Sequence, residues 1–443
     1  MVSGPFPPAD ASGRSVVLGV GGGIAAYKVC ELLRRFTESG HDVTVVPTES
    51  ALKFVGAASW EALSGKPVHS DVFSDVPSVQ HVRLGQQADL VFVAPATADL
   101  MAKAAHGRAD DLLTSTLLTA TCPVVYAPAM HTEMWQHPAT RANVATLRAR
   151  GALVLPPAHG RLTGADSGPG RLPEPLQLFE LATNVLLASV GRAESGSAED
   201  SCDQDGDEDD RTSSFRRDLQ GRRVLVTAGG TREHLDPVRY LGNNSSGRQG
   251  FALAAAAVAR GAEVTLVAAN VEMSTPYGVT RRNVVSASEL RDVVLRDSPG
   301  QHAVVMAAAP ADYRPAQAAE HKIKKQPGSV PPAISLVENP DILAELVESR
   351  PGGQVEQVLV GFAAETGDDQ TSALEHARAK LARKGCDWLV VNDVSAGAVF
   401  GSDENEAVII GQGHPDLVIP RGSKSALAHQ VWDLVASSWR HRL

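Results

Sequence analysis

Two glycine-rich loops lie where each half of the sequence begins its first helix. The first, GVGGGIAAYK, covers residues 19–28, and the second, TAGGTREHLDPVRYLGNNSSGRQG, covers residues 227–250. Glycine lets the backbone approach a ligand closely, and a helix N-terminus offers free N–H groups and the positive end of its dipole to a phosphate. Such a loop alone is equally compatible with a tight structural turn. The loops therefore indicate two candidate sites for phosphate-bearing ligands.

Polar side chains follow several later apolar runs of the first half. Thr48 ends the run HDVTVVPT, Thr97 and Asp99 follow ADLVFVAPA, and His131 follows CPVVYAPAM. Because the carboxyl ends of parallel strands meet at one edge of a sheet, we expect these residues to converge on one crevice. His81, which opens the segment HVRL, is a candidate general base, and a surface or capping histidine is the alternative.

Two groups of lysines stand out in the second half. Lys322, Lys324 and Lys325 lie in a segment flanked by Pro and Gly, where they could form a mobile flap over a polyphosphate. Lys380 and Lys384 are four residues apart and therefore share one helical face. Two lysine groups near anion-binding loops suit a triphosphate whose charge builds up during transfer. A solvated loop is the alternative for the first group.

Strands and helices alternate around these residues. The first half reads as the strand SVVLGV, a helix over residues 24–39 and the strand HDVTVVPT; the second reads as RRVLVTAGG, a helix over residues 247–260 and AEVTLVAAN. Later apolar runs, such as QVLVGFAAE and DWLVVND, suit strands that are covered on both faces. This alternation predicts an α/β protein with two doubly wound, mainly parallel-sheet (Rossmann-like) domains.

The polar, acidic segment 194–210 divides the chain, since it has too few apolar side chains to offset its ordering entropy. We predict a disordered tail over residues 1–14, a first domain over 15–192, a flexible acidic linker over 193–219 and a second domain over 220–443.

The composition excludes several classes of protein. The formal net charge of −10 disfavours nucleic-acid binding. The four cysteines form no CxxC pair, which predicts reduced thiols and no zinc site. No apolar run is long enough to cross a membrane, and the N-terminus lacks the features of a signal peptide. We therefore expect a cytoplasmic protein without a membrane or nucleic-acid partner.

The first half resembles the flavin-dependent cysteine decarboxylase family. The segments GGIAAYK, HVRLGQQADLVFVAPATADLMAK, PAMxxxMW and ADSGPGRLPEP carry the resemblance over most of residues 15–190. It implies a catalytic role for His81 and an FMN that oxidises the carbon bearing the substrate's sulfur, which creates a sink for the electrons left when carbon dioxide departs. The implied FMN contacts are Gly22, Gly23, Ile24, Thr48, Pro95, Ala96, Thr97 and Asp99, and the implied substrate contacts are His131, Met134 and Arg171.

Two positions depart from the family pattern. His131 stands where members of the coenzyme A branch usually have asparagine, and its imidazole can still donate a hydrogen bond. Gly164 stands where the flap cysteine of that branch assists reduction of the oxidised intermediate. Because glycine cannot transfer a proton, either another group or water replaces the cysteine, or this domain is impaired.

The second half resembles the phosphopantothenate–cysteine ligase family over residues 221–435, through GGTRE, DPVRY, NxSSG, ADYRP, NPDIL, GFAAET and KGCDWLVVND. The resemblance implies that the substrate carboxylate attacks the nucleotide and that the amine of cysteine then displaces CMP. Asn243 would hold the acyl intermediate, and Lys322 would neutralise charge. CTP and Mg²⁺ are the implied co-substrate and metal, with no metal ligands assigned. The implied nucleotide contacts are Gly229, Gly230, Met306, Ala307, Ala308, Asp312, Lys322, Pro340, Asp341, Ile342, Leu343, Phe362, Lys380 and Lys384.

Together the two resemblances identify the chain as a member of the bacterial fused decarboxylase–ligase family of coenzyme A biosynthesis, because the ligase product is the decarboxylase substrate. The expected substrates are 4′-phosphopantothenate, cysteine and CTP. Decarboxylase trimers and ligase dimers in the related families imply a homo-oligomer, for instance a dodecamer. A nicotinamide dehydrogenase and a non-catalytic flavoprotein regulator remain as alternatives, although neither half has a clean GxGxxG motif with an acidic ribose ligand.

Overall fold

The computed structural model describes residues 13–70, 79–162, 167–190, 217–324, 333–350, 357–365, 373–393 and 404–440. Most of the predicted tail and linker, the flap position Gly164, Lys325 and Cys202 lie outside these ranges. The chain divides into two compact units, residues 1–217 and 218–443.

The first unit alternates strands and helices. In chain order its elements are β1 (Ser15–Val20), α1 (Ala26–Glu38), β2 (Asp42–Pro47), α2 (Glu49–Leu52), α3 (Ala57–Ser64), α4 (Gln80–Gln87), β3 (Leu90–Ala96), α5 (Ala98–Ala105), α6 (Leu112–Thr119), β4 (Val124–Pro128), α7 (Thr132–Gln136), α8 (Pro138–Ala149), β5 (Leu153–Val154), β6 (Ala158–Arg161), β7 (Ser167–Arg171) and α9 (Pro175–Val190).

The main sheet of this unit is parallel and has the order β2-β1-β3-β4-β5. All seven residues of β3 are buried, because helices cover both faces of the sheet. On α1, buried apolar side chains recur at helical spacing from Val29 through Leu32 and Leu33 to Phe36. The chain crosses from β1 to β2 on one side of the sheet and from β3 to β4 on the other. The loops at the carboxyl ends of β1 and β3 therefore separate and leave a crevice.

The second unit has a larger sheet. In chain order its elements are β8 (Arg223–Gly229), β9 (Arg232–His234), β10 (Tyr240–Gly242), α10 (Arg248–Ala259), β11 (Glu263–Ala269), β12 (Val279–Val284), α11 (Ala287–Asp297), β13 (Ala303–Met306), β14 (Tyr313–Pro315), β15 (Leu336–Glu338), α12 (Ile342–Glu348), β16 (Val358–Glu365), α13 (Ala373–Lys384), β17 (Trp388–Asp393), β18 (Glu404–Gly411), β19 (Leu417–Ser423) and α14 (Lys424–Arg440).

Its eight strands have the order β12-β11-β8-β13-β16-β17-β18-β19. The strands from β12 to β17 are parallel, whereas β18 and β19 are antiparallel to their neighbours. The predicted doubly wound α/β architecture is confirmed in both units. Sequence periodicity did not indicate the small antiparallel pairs β6–β7, β9–β10 and β14–β15, which are too short to leave a pattern.

Residues just before β8 belong to the folded chain of the second unit. Leu219 is fully buried, and Asp218 forms an ion pair with Arg260 at 2.5 Å. Arg260, at the C-terminus of α10, is itself 1% exposed and also contacts Asp433 at 2.8 Å and the carbonyl oxygen of His429 at 2.9 Å. This buried guanidinium therefore joins the start of the unit and α10 to α14.

No helix in the described part of the chain is long and apolar enough to span a bilayer. Among the described cysteines, Cys30, Cys122 and Cys386 are all free thiols.

We expect Arg260→Ala to destabilise the second unit by about 3 kcal/mol, because breaking a buried ion-pair cluster leaves carboxylates without their partner. The matched control is Arg421→Ala, which removes an exposed pair with Glu404 and should cost less than about 1 kcal/mol. Calorimetric unfolding of the full chain measures both. Equal effects of the two variants would contradict the role of Arg260.

A second prediction concerns His41, which is only 5% exposed. Burial, with the positive charge of Arg14, lowers the pKa of His41 against the opposing effects of the Asp89 charge and the backbone of Arg14. The unfolded chain therefore binds a proton at higher pH than the folded chain, so stability falls as the pH drops below about 6.5, by up to about 1.4 kcal/mol per pH unit.

We expect His41→Phe to flatten the dependence of the first unit's Tm on pH between pH 7 and pH 5. Thermal unfolding at several pH values measures this slope, and an unchanged slope in the variant would show that His41 does not titrate on unfolding.

Candidate functional sites

A cavity of about 1320 Å³ opens at the carboxyl ends of the first sheet, in the crevice between β1 and β3. It collects most of the residues that the sequence assigned to FMN and substrate. The assigned residues that line it are Gly22, Gly23, Ile24, Thr48, Thr97, Asp99, His131, Met134 and Arg171.

The glycine loop of this cavity packs tightly against neighbouring segments. A Cβ atom on Gly22 would lie 2.3 Å from the Cβ of Ser50, whereas one on Gly23 would meet nothing closer than 3.8 Å. Gly21 donates its N–H to the carbonyl oxygen of Pro95. Helix α1, which follows the loop, has no side-chain cap at Ala25, and the amides of Ala26 and Lys28 donate to the carbonyl oxygens of Gly23 and Ala25 at 3.0 and 3.1 Å. The positive end of the helix dipole at this terminus can still attract an anion.

Two threonines start helices at the rim. The hydroxyl oxygen of Thr48 accepts a hydrogen bond from the amide of Ala51, and that of Thr97 accepts one from the amide of Leu100, both at 3.2 Å. Each hydroxyl therefore serves as an N-cap and retains its own proton for donation to a ligand. Pro95 and Ala96 are not among the described lining residues and instead hold the loops below.

Charged side chains at the rim are already paired. Glu174 accepts hydrogen bonds from Lys28 at 3.0 Å and from Arg171 at 2.7 Å. Lys28 lines the cavity, and sequence reasoning missed it because its partner is 146 residues away. Lys103 lies 3.2 Å from Asp110, and this contact holds the pKa of Asp110 below its usual value.

His81 lies on α4, away from the described lining of this cavity. Its backbone carbonyl accepts a hydrogen bond from the Thr119 hydroxyl at 2.8 Å, and its buried Nδ1 has no hydrogen-bond partner among the residues that the structure describes. Val79 and Leu118, on the same side of the unit, are about half exposed. Within one chain the structure therefore does not bring His81 together with the predicted FMN contacts.

The second unit has its own cavity, of about 680 Å³, at the carboxyl ends of β8, β13, β16 and β17. Twelve of the residues that the sequence assigned to the ligase line it. They are Asn243, Met306, Ala307, Ala308, Asp312, Pro340, Asp341, Ile342, Leu343, Phe362, Lys380 and Lys384.

The loop after β13 is held from beneath by buried hydroxyl groups. The Thr227 hydroxyl accepts a hydrogen bond from the amide of Ala308 at 3.0 Å, and the Thr231 hydroxyl accepts one from the amide of Ala311 at 2.9 Å. From above, the side-chain nitrogen of Asn243 donates to the carbonyl oxygen of Pro310 at 2.8 Å. These three bonds fix the loop relative to β8 and leave the side-chain oxygen of Asn243 available to a ligand.

Basic side chains form one wall of this cavity. Lys380, Arg383 and Lys384 all come from α13 and line it together. Lys384 forms an ion pair with Asp341, which also caps α12. Burial alone would raise the pKa of Asp341, but the hydrogen bond from Lys384 brings it below the usual value. Asp341 is therefore a carboxylate at neutral pH.

Three assigned residues lie outside this lining. Gly229 and Gly230 allow close packing of the backbone. A Cβ atom on Gly229 would lie 2.1 Å from the carbonyl oxygen of Ala269, and one on Gly230 would lie 2.6 Å from that of Asn243. The exposed Lys322 is also absent from the described lining.

The segment that carries Lys322 is anchored to the DPVR turn. The buried carboxylate of Asp236 accepts a hydrogen bond from the amide of Ile323 at 3.1 Å, and Arg239 donates to the carbonyl oxygen of Ile323 at 2.9 Å. The hydrogen bond from Arg239 holds the pKa of Asp236 far below its usual range.

Helix α10 begins after a position that only glycine can occupy without strain. Its N-cap is Gly247, which has φ of +76° and no side chain to cap the helix. A Cβ atom on Gly247 would lie 2.6 Å from Val271, so a serine cannot replace it without strain. The Ser246 hydroxyl accepts a hydrogen bond from the amide of Arg248 at 3.5 Å, and the N-terminus of α10 lines the cavity through Arg248 and Gln249.

Neither cavity contains an evident metal centre. Among the described residues, no group of three or more His, Cys, Asp or Glu side chains could hold a metal ion.

Two family models match the chain in the same order as its two units. The model described as "Flavoprotein" matches residues 7–187, and "DNA/pantothenate metabolism flavoprotein C-terminal domain" matches residues 219–438. The coenzyme A biosynthesis bifunctional protein CoaBC of Mycolicibacterium smegmatis is 54% identical over 427 residues, which cover 96% of this chain and 97% of that protein. The chain belongs to this family of bifunctional coenzyme A biosynthesis proteins.

The chain is also similar to a more distant relative and to a solved structure. The CoaBC protein of Vibrio cholerae is 42% identical over 431 residues, covering 96% of this chain and 98% of that protein. A crystal structure of the C-terminal domain of a CoaBC protein is 32% identical, covers 51% of this chain and 99% of that domain, and has a TM-score of 0.42.

The predicted function, a decarboxylase and a ligase of coenzyme A biosynthesis on one chain, is confirmed by this membership. The relatives lend no support to a dehydrogenase, to a non-catalytic regulator or to an impaired first domain.

Proposed function

We propose that the first cavity binds FMN and decarboxylates 4′-phosphopantothenoylcysteine, and that the second binds CTP with Mg²⁺ and joins 4′-phosphopantothenate to cysteine through an acyl-cytidylate. The observation that carries this proposal is the convergence of nine assigned residues on one cavity and twelve on the other. The ligase product is then the substrate of the decarboxylase.

The lining of the first cavity suits a flavin with a phosphate tail. Ile24, Tyr27 and Met134 are large apolar side chains that are 69%, 60% and 47% exposed at its wall, where a planar ring system would cover them. The start of α1, where the helix dipole is positive, is the natural position for the phosphate. Bound FMN would supply reversible two-electron oxidation of the carbon bearing sulfur.

The substrate would enter beside the FMN. His131 and Arg171, both exposed at the rim, would bind its anionic groups. Because glycine at position 164 cannot transfer a proton, we propose water as the proton source in place of the family's flap cysteine.

His81 requires a second copy of the chain in this proposal. It lies outside the cavity of its own chain, on a side that also exposes Val79 and Leu118. We therefore propose that copies associate through this side, as in decarboxylase trimers, so that His81 of one copy reaches the FMN of another. A ligase dimer would complete the larger assembly.

The second cavity suits a nucleoside triphosphate. The start of α10 provides the positive end of a helix dipole for the phosphates, and the basic wall of α13 provides cations. Because no carboxylate cluster is available among the described residues, Mg²⁺ would be held largely by the phosphates and water. The Asn243 side chain, fixed on Pro310, would orient the acyl intermediate.

Gly22→Ala should abolish or strongly reduce copurifying flavin, because its methyl group would displace the segment that carries Ser50. Gly56→Ala is the matched control, since a Cβ atom at that position would meet nothing within 4 Å. The visible flavin spectrum per mole of protein measures the effect. Ligation should be unchanged in both variants, and full flavin occupancy in Gly22→Ala would contradict the proposed site.

Lys322→Ala should slow ligation by about 100-fold, since it removes a cation that we assign to charge developing in the transition state. Decarboxylation of supplied 4′-phosphopantothenoylcysteine by the same preparation is the internal control and should be unchanged. Mass spectrometry of both products measures the two rates. Normal ligation by the variant would remove Lys322 from the proposed site.

A further inference from the structure

A chain of three side-chain amides crosses the floor of the second cavity, and none of its members was indicated by the sequence. Gln249 is the second residue of α10, Asn392 lies at the carboxyl end of β17, and Asn405 lies at the start of β18. Because β18 runs antiparallel to β17, its start lies beside the end of β17. All three residues line the cavity.

The direction of the chain is set by a backbone carbonyl group. The side-chain nitrogen of Gln249 donates to the carbonyl oxygen of Lys424 at 3.1 Å. A carbonyl oxygen can only accept, so Gln249 must turn its own oxygen toward Asn405. The side-chain nitrogen of Asn405 donates to that oxygen at 3.4 Å and to the side-chain oxygen of Asn392 at 3.2 Å.

This arrangement leaves Asn392 in one orientation. Its oxygen is directed inward to Asn405, so its nitrogen, with two N–H donors, is directed away from the chain of amides. That nitrogen makes no hydrogen bond with a residue that the structure describes, and Asn392 is only half-buried. Asn405, in contrast, is 5% exposed, and its side-chain oxygen is buried without a donor.

An unsatisfied buried acceptor is unfavourable and requires an explanation. Both donors of Asn405 are used to orient its two neighbours, and its own oxygen remains unpaired as a consequence. Such a local loss of stability is expected where a functional site needs a side chain in one fixed orientation.

The surroundings indicate the ligand atom that Asn392 would meet. Lys380, Arg383, Lys384 and Lys424 line the same cavity, and the uncapped N-terminus of α10 begins next to Gln249. An N–H donor among these cations suits an anionic oxygen, and a phosphate oxygen in particular.

We propose that Gln249 and Asn405 are positioning residues that hold the Asn392 amide so that its nitrogen donates to a phosphate oxygen of the nucleoside triphosphate. This inference rests on the proposed ligase function of the cavity. Gln249 and Asn405 act through Asn392, and the Lys424 carbonyl group fixes the direction of all three.

The test uses steady-state ligation by the full chain with CTP, 4′-phosphopantothenate, cysteine and Mg²⁺. Asn405→Asp keeps the shape but replaces both donors by acceptors, so that Asn392 must turn its nitrogen inward. The KM for CTP should rise about tenfold, with the KM for cysteine and kcat nearly unchanged, because a ground-state contact to the nucleotide is lost. Asn283→Asp makes the same chemical change at an exposed position of β12 and should leave all three constants unchanged.

A double-mutant comparison separates positioning from general stability. Asn392→Ala alone should also raise the KM for CTP, and adding Asn405→Asp should change it little further, since Asn405 acts through the missing amide. If Asn405→Asp does not fold, Gln249→Met tests the same contact without introducing a charge. It should raise the KM for CTP to the same extent and leave the Tm at the wild-type value.

Additive effects in the double variant, or an unchanged KM for CTP in Asn392→Ala, would overturn the inference while leaving the ligase assignment intact. A wild-type chain that forms no ligation product with CTP would overturn the proposed function and this inference with it.

Discussion

In each sheet of this protein, the chain leaves two neighbouring parallel strands toward opposite sides, and both cavities depend on that reversal. Helices that cross from β1 and β3, or from β8 and β13, lie on opposite faces of their sheet, so the loops at the carboxyl ends separate and leave a crevice. Loops after strand ends and the ends of neighbouring helices line the two crevices. Helices α1 and α10 begin there, so the positive ends of their dipoles can attract an anionic ligand.

Hydrogen bonds to its backbone groups fix the loop after β13. Beneath the second cavity, the buried hydroxyls of Thr227 and Thr231 satisfy amides of this loop, and Asn243 satisfies one of its carbonyl oxygens. An unsatisfied buried group of this kind would cost about 1–3 kcal/mol. The loop is thus rigid before the ligand arrives, which lowers the entropy that binding must overcome.

The features that depend on local sequence patterns could be predicted from the sequence. The strands from SVVLGV to DWLVVND, the glycine loops and the i,i+4 pair of Lys380 and Lys384 follow from periodicity and spacing, and their positions in the structure agree. Contacts between residues far apart in the sequence could not be predicted from these patterns. Asn405 meets Gln249 across 156 residues, and no spacing rule connects them. His81 and Lys322, in contrast, were assigned to the sites by family resemblance. In the fold of a single chain, they lie outside the described lining of the cavities.

The most direct measurement is an end-point assay by mass spectrometry, in which the full chain is incubated with 4′-phosphopantothenate, cysteine, Mg²⁺ and either CTP or ATP. We expect CTP to yield 4′-phosphopantetheine, the product of the two sites acting in sequence. This result would also establish that glycine at position 164 is compatible with decarboxylation. Accumulation of 4′-phosphopantothenoylcysteine would contradict the account of the first cavity. If neither nucleotide yields any condensed product, the account of the second cavity, and the central claim of two consecutive reactions on one chain, is wrong.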